Sequence, residues 1–138
     1  IIVMERKIVH VVGTGTIGEP LIGILCEQKS NLGIDEVTFH KQSPLTKDAP
    51  KIKNLMAKGA RLSVHEDRVE SFKEIGLEPE FTMDEAVSRS SVVIDCTPSG
   101  FGHKNKLDFL LTYASIACVS ESIAVSAVVL FGTEYVNS

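Results

Sequence analysis

Three glycines near the start of the chain have the spacing of a phosphate-binding turn. They lie in Gly13-Thr14-Gly15-Thr16-Ile17-Gly18, after an apolar run at 7–12 and before a helical pattern at 20–25. In such a turn the first glycine permits the bend, the second leaves room for a pyrophosphate, and the third lets the helix pack on the strand. The helix then directs free N–H groups and its positive dipole end at the phosphates. All six residues are therefore predicted to bind a dinucleotide, the alternative being a tight turn without a ligand.

The segment after the second predicted strand bears on which nucleotide is bound. A carboxylate about 20 residues beyond the glycines usually holds the ribose 2′-OH of NAD, but the sequence 38–43 contains none. Lys41 can instead pair with a 2′-phosphate, and Ser43 can donate a hydrogen bond to it. The prediction is a nicotinamide dinucleotide, with NADP favoured over NAD. The alternative for Lys41 is an ordinary solvated loop lysine.

A third segment, Cys96-Thr97-Pro98-Ser99-Gly100, follows an apolar strand at 91–95. Thr97 and Ser99 can hydrogen-bond a ribose, or they can simply form the turn around Pro98. Cys96 is the one cysteine expected at the crevice, since Cys26 and Cys118 are expected to be core residues. A reactive thiolate needs an electropositive surrounding or a paired base, which leaves Cys96 as the only candidate nucleophile among the three cysteines.

The remaining cysteine and histidine spacings indicate no metal site. The three cysteines form no C-x-x-C pair, and the four histidines, His103 among them, are scattered. An odd number of cysteines argues against a disulfide framework and favours a reducing, cytoplasmic location.

Alternating strands and helices must position these three segments. The predicted strands are 7–12, 36–40, 60–64, 91–95 and 115–119. Predicted helices cover 18–28, 48–58 and 66–75. In the second of these Asp48 is a candidate N-cap, Pro50 lies in the first turn and Gly59 ends the helix. A further helix begins at a Thr82/Glu85 capping box, and another carries Leu107, Leu110, Leu111 and Ala114. In the first helix Ile17, Leu21, Ile24 and Leu25 are expected to face inward. Repeated βα units predict an α/β fold, a doubly wound parallel sheet of Rossmann type in three αβα layers. Its crevice lies at the carboxyl ends of the strands.

Length and charge limit the classes of function. The 138 residues suit a single domain, 1–138, and the net charge of −4 argues against a nucleic-acid binder. No apolar run has the length of a membrane span. The chain does not begin with Met, which suggests a trimmed or incomplete reading frame, with Met4 as a candidate start.

From Gly13 to about Lys106 the chain resembles the archaeal-type glyceraldehyde-3-phosphate dehydrogenases. The matching features are the glycine loop, the basic, proline-containing segment after strand two, and the stretches 57–62, 68–73 and 75–79. The most telling match is 92–100, followed by Gly102 and Asn105. The resemblance implies a cofactor-binding domain in which Cys96, Thr97, Pro98, Ser99 and Gly100 lie beside the nicotinamide ribose.

The resemblance also implies a catalytic half that this sequence does not contain. Members of the family act through a thiolate within a Ser-Cys-Asn-Thr-Thr-like motif, and no such motif occurs here. The expectation is a truncated chain that binds NADPH without dehydrogenase turnover. Two alternatives stay open: the nucleotide half of an aspartate-semialdehyde or homoserine dehydrogenase-like protein, and a non-catalytic nucleotide-sensing module.

The apolar segment 123–131 admits two interpretations. It is either a buried strand or a surface that packs on a further domain or a second subunit. Homo-oligomerisation through this segment is accordingly a hypothesis.

Overall fold

A computed structural model describes residues 6–15 and 17–96 in full, and the backbone alone of three strands between 117 and 137. The strands are β1 (Ile8–Val12), β2 (Glu36–His40), β3 (Arg61–Val64), β4 (Phe81–Thr82), β5 (Val92–Asp95), β6 (Ala117–Ser122), β7 (Val125–Phe131) and β8 (Glu134–Asn137). The helices are α1 (Gly18–Glu27), α2 (Lys29–Leu32), α3 (Ala49–Ala57), α4 (Val69–Glu74) and α5 (Met83–Arg89). No helix in these described ranges is long and apolar enough to cross a membrane.

The strands form one sheet in the order β4-β3-β2-β1-β5-β6-β7-β8. Neighbours from β4 to β6 are parallel, whereas β7 and β8 are antiparallel to the strands they pair with. The chain builds outward from β1 to β4 and then returns to the other side of β1 with β5. Right-handed crossovers put α1, α3 and α4 on one face of such a sheet and α5 on the other. The predicted doubly wound α/β fold is confirmed, and its switch point lies between β1 and β5.

Two strands, β4 and β8, were not expected from the sequence. β4 has only two residues, too few for a pattern of alternation, and β8 was not predicted. Residues 125–131 of the apolar segment form β7, which lies between β6 and β8 in the sheet. The predicted helix that carries Leu107 lies outside the described residues.

The two faces of the parallel sheet differ in chemistry because side chains alternate along each strand. One face carries Val11, Phe39 and Leu62, which pack with the buried side chains of α1, α3 and α4. The register pairs His10 with Thr38 and His40 with Ser63 on the other face. The sheet therefore has one apolar face and one face, called the polar face here, on which polar side chains lie among apolar ones such as Val93.

Local signals set the helix boundaries largely as predicted. Pro50 lies in the first turn of α3, and Gly59 follows this helix with a φ of +106°. The capping box of α5 is confirmed, because Thr82 Oγ1 accepts from the Glu85 N–H and Glu85 Oε1 accepts from the Thr82 N–H, both at 3.3 Å.

The inward face of α1 differs from the prediction. Ile17 and Ile24 are 51% and 55% exposed, while Ile22 and Leu25 are buried. The reason is the buried Gly18, which lies against the Gly13 carbonyl and fixes the rotation of the helix about its axis. Residues four and seven positions after Gly18 therefore face the sheet.

Candidate nucleotide-binding site

Three segments that are distant in sequence meet at the carboxyl edge of the sheet. Gly13 follows β1, Lys41 follows β2 and Cys96 follows β5. Backbone hydrogen bonds join them to neighbouring strands: the Gly13 N–H donates to His40 O at 3.3 Å, and the Cys96 N–H donates to Val12 O at 2.8 Å. The switch-point crevice is thus lined by the predicted glycine loop on one side and Cys96 on the other.

The fold requires glycine at two of the three positions of the loop. Gly13 has a φ of +104°, a backbone conformation that favours glycine. A Cβ on Gly18 would lie 2.1 Å from Gly13 O, so the close approach of α1 to the strand requires glycine there. At the exposed Gly15, a Cβ would meet no described atom within 4 Å, and the φ of Gly15 is not positive. The fold accounts for Gly13 and Gly18 but not for Gly15, where glycine only leaves open space.

The first turn of α1 is open to an anion. Among the described residues no side chain caps its start at Ile17, and Pro20 has no N–H to satisfy. The Glu19 N–H donates to Gly15 O at 3.2 Å, which closes the loop onto the helix. Thr14 is buried beside this turn. Thr16 lies outside the described residues.

Lys41 and Ser43 lie at the end of β2, where the nucleotide ribose is expected. Lys41 is not the solvated loop lysine of the alternative interpretation, because its Nζ forms an ion pair with Asp48 Oδ2 at 2.8 Å. The side chains of Lys41 and Asp48 are only 14% and 17% exposed. The hydrogen bond from Lys41 holds the pKa of Asp48 below its usual value, and the charges of Lys51 and Lys47 act in the same direction. Ser43 is half-buried.

Lys51 is a residue of this site that the sequence reasoning missed. It extends from α3 to the glycine loop, where its Nζ donates to Thr14 O at 3.0 Å and lies 3.8 Å from Glu19 Oε2. The sequence gives one signal, the position of Lys51 three residues after Asp48 at the start of a helix. Without the packing of α3 against α1, nothing in the sequence connects Lys51 with Thr14.

Cys96 packs at the margin of the core beside the glycine loop. A Cβ on Gly18 would lie 3.5 Å from the Cys96 Cβ, which shows how closely the two segments approach. Cys26 is half-buried against the core, and burial raises the pKa of its thiol, as expected of an unreactive cysteine. The predicted site residues Thr97, Pro98, Ser99 and Gly100, and also His103, lie outside the described residues.

Two histidines lie in the sheet beneath this edge. His10 is fully buried, and its Nδ1 lies 2.6 Å from Thr38 Oγ1. Burial lowers the pKa of His10 to about 3 and that of His40 to about 4. Both rings are uncharged at neutral pH, so the charges at the edge come from its lysines and carboxylates. Within the described ranges no three His, Cys, Asp or Glu side chains are grouped to hold a metal ion.

Known glyceraldehyde-3-phosphate dehydrogenases are similar to this chain in sequence. The glyceraldehyde-3-phosphate dehydrogenase of Methanobacterium bryantii is 36% identical over 100 residues, which is 72% of this chain. That of Pyrobaculum arsenaticum is 34% identical over 100 residues, 71% of this chain. That of Pyrobaculum islandicum is 28% identical over 107 residues, 76% of this chain. The chain is similar in sequence to the archaeal-type glyceraldehyde-3-phosphate dehydrogenases. The resemblance stated from the sequence motifs is thereby confirmed.

The similarity covers only part of each archaeal-type dehydrogenase. The chain spans 28% of the Methanobacterium bryantii protein and 26% of the Pyrobaculum arsenaticum protein. No protein-family model matches the chain. Together with the parallel α/β sheet, the relatives support an oxidoreductase nucleotide-binding domain.

Proposed function

We propose that this chain binds NADP, in preference to NAD, as the nucleotide domain of an oxidoreductase similar to glyceraldehyde-3-phosphate dehydrogenase. The single observation that carries the proposal is the open space at Gly15. The fold explains the glycines on either side of it, whereas a ligand that approaches the backbone explains this one. The similar proteins are glyceraldehyde-3-phosphate dehydrogenases, and this similarity supports a nicotinamide dinucleotide as the cofactor.

In this proposal the residues divide into three groups along the dinucleotide. The backbone of the glycine loop and the start of α1 bind the pyrophosphate, since N–H groups and a helix dipole favour an anion there. The residues after β2 hold the adenosine ribose and its 2′-phosphate. The segment after β5 lies against the nicotinamide ribose. The proposed residues are Gly13, Thr14, Gly15, Thr16, Ile17, Gly18, Lys41, Ser43, Cys96, Thr97, Pro98, Ser99 and Gly100.

The chemistry divides between the cofactor and the protein. A bound nicotinamide supplies or accepts the hydride, and the chain binds and orients it. No described residue is proposed to be catalytic. We also propose a reducing, cytoplasmic compartment, an interpretation that the free thiol of Cys26 supports.

Titration calorimetry with NADPH and NADH tests the proposal. We expect the wild-type chain to bind NADPH more tightly than NADH. Gly15→Ala should weaken both coenzymes at least tenfold, about 1.4 kcal/mol, because its methyl group occupies the space through which the pyrophosphate approaches.

Gly23→Ala is the matched control for this substitution. Gly23 lies in α1, and a Cβ there meets only the flexible end of Lys58, at 3.4 Å. We expect coenzyme affinity within twofold of wild type. A wild-type chain that gives no heat with either coenzyme, or equal losses in the two variants, would contradict the proposal.

A further inference from the structure

The end of β2 and the start of α3 bring three lysines around one carboxylate. Lys41 contacts Asp48 directly, at 2.8 Å, and the charges of Lys51 and Lys47 also act on the Asp48 carboxyl group. Both members of the Lys41–Asp48 pair are mostly buried. The Asp48 carboxylate is thus already paired with Lys41, the lysine that follows β2. In dinucleotide-binding folds a residue at this position contacts the substituent on the ribose.

This cluster is continuous with the glycine loop. Lys51 donates to Thr14 O at 3.0 Å, and the Gly13 N–H donates to His40 O next to Lys41. Two carboxylates belong to this cluster: Asp48, on which three ammonium groups act, and Glu19, which lies near that of Lys51. The formal charge of these five side chains is +1, which favours an anion but only weakly.

We propose that Asp48 is a specificity-determining residue that sets the preference between NADPH and NADH. The inference rests on the proposed function, because it concerns the same dinucleotide site. The 2′-phosphate of NADPH has to compete with the Asp48 carboxylate for Lys41. The 2′-hydroxyl of NADH carries no charge, so the ion pair costs NADH little affinity. Asp48 therefore limits the affinity for NADPH and leaves that for NADH nearly unchanged.

The side chain of Asp48 is suited to substitution. Asp48 precedes α3 at the N-cap position, but its side chain makes no capping hydrogen bond. Asp48→Asn keeps the shape, removes the charge and releases Lys41, and the formal charge of the cluster rises from +1 to +2. The helix loses no cap, so we expect the variant to fold as the wild type does.

Asp35→Asn is the matched control. Asp35 precedes β2 at the opposite edge of the sheet, where its Oδ2 accepts from the Lys7 N–H at 2.7 Å. The substitution removes one negative charge from the chain, as Asp48→Asn does, but far from the glycine loop.

Calorimetric titration of wild type, Asp48→Asn and Asp35→Asn with NADPH and with NADH tests the inference. We expect Asp48→Asn to bind NADPH about three- to tenfold more tightly, with NADH affinity changed less than twofold. Asp35→Asn should match the wild type with both coenzymes. In the double variant Lys41→Gln/Asp48→Asn the gain for NADPH should be reduced, because the released lysine is absent.

Two failures are distinguishable. If the wild type binds both coenzymes and Asp48→Asn leaves the ratio of their affinities unchanged or lowers it, the role of Asp48 is overturned and the dinucleotide site stands. A gain of equal size in Asp35→Asn also overturns that role, since it reflects net charge alone. If no variant binds either coenzyme, the proposed function itself fails.

Discussion

At the scale of single residues, Gly15 and Gly18 are three positions apart in the same motif but do different work. Gly18 is needed for the fold, because a Cβ there would lie 2.1 Å from a backbone oxygen. Gly15 is not needed for the fold, because a Cβ there meets no described atom within 4 Å. A motif of three glycines therefore contains both structural and ligand-directed positions, and only the packing separates them.

This difference predicts that alanine at position 18 destabilises the fold much more than alanine at position 15. Gly18→Ala should lower the free energy of unfolding by about 3 kcal/mol or more, since a backbone atom cannot move aside as a flexible side chain can. Gly15→Ala should lower it by less than about 1 kcal/mol. Urea unfolding followed by circular dichroism measures both values. Similar losses in the two variants would show that Gly15 has a structural role that its surroundings do not reveal.

At the scale of elements, one buried carboxylate joins β2, β3 and α5. Glu36 is 3% exposed, and it forms ion pairs with Arg61 at 2.5 Å and Arg89 at 2.7 Å. The Arg89 guanidinium also lies 4.1 Å from the ring centroid of Phe81 in β4. The amino ends of these strands are thus held by charge at the edge opposite the glycine loop.

Removing this charge should loosen the polar side of the sheet. Glu36→Gln removes the carboxylate that pairs with Arg89 and the closer of the two that pair with Arg61. We expect a loss of about 2–3 kcal/mol in the free energy of unfolding. The control is Glu80→Gln, because Glu80 is 47% exposed and lies 3.6 Å from Arg61. Glu80→Gln should lower the free energy of unfolding by less than about 0.5 kcal/mol. Equal midpoints of urea unfolding for Glu36→Gln and wild type would contradict this account.

Local sequence signals predicted the elements better than their orientation. The Thr82/Glu85 box, Pro50 and Gly59 act through neighbouring backbone groups, so the residues themselves define where α3 and α5 begin or end. The rotation of α1 depends on the contact between Gly18 and Gly13 O, and the apolar pattern placed Ile17 and Ile24 inside by mistake. The Lys41–Asp48 pair escaped prediction for the same reason, because two segments must pack before their charges meet.

At the scale of the whole molecule, the sheet has uncharged histidines within its polar face. His10 lies in β1 against Thr38 of β2, and His40 lies next along the sheet with its Nδ1 3.4 Å from Ser63 Oγ. The His10 Nε2 has no hydrogen-bond partner among the described residues. Burial disfavours a proton on this ring and the neighbouring His40 acts in the same direction, which explains why the pKa of His10 is lowered to about 3.

The low pKa makes the stability of the fold dependent on pH. Below about pH 6.5 the unfolded chain takes up a proton at His10 that the native chain does not, so the free energy of unfolding falls as the pH falls. The loss from His10 is about 1.4 kcal/mol for each pH unit between 6.5 and 3, which gives about 2 kcal/mol at pH 5. Above pH 6.5 the two states bind the same number of protons at this residue, and its contribution is constant.

Urea unfolding at pH 7 and pH 5 measures this loss, and His10→Gln should reduce it by about 2 kcal/mol because glutamine does not titrate. Because a buried substitution risks the fold, an NMR titration of the wild type gives a second readout. The His10 ring signals should not shift between pH 8 and pH 5. A His10 titration midpoint near 6.5 would mean that the ring accepts a proton in the native sheet. Burial would then not lower its pKa, which would contradict this account.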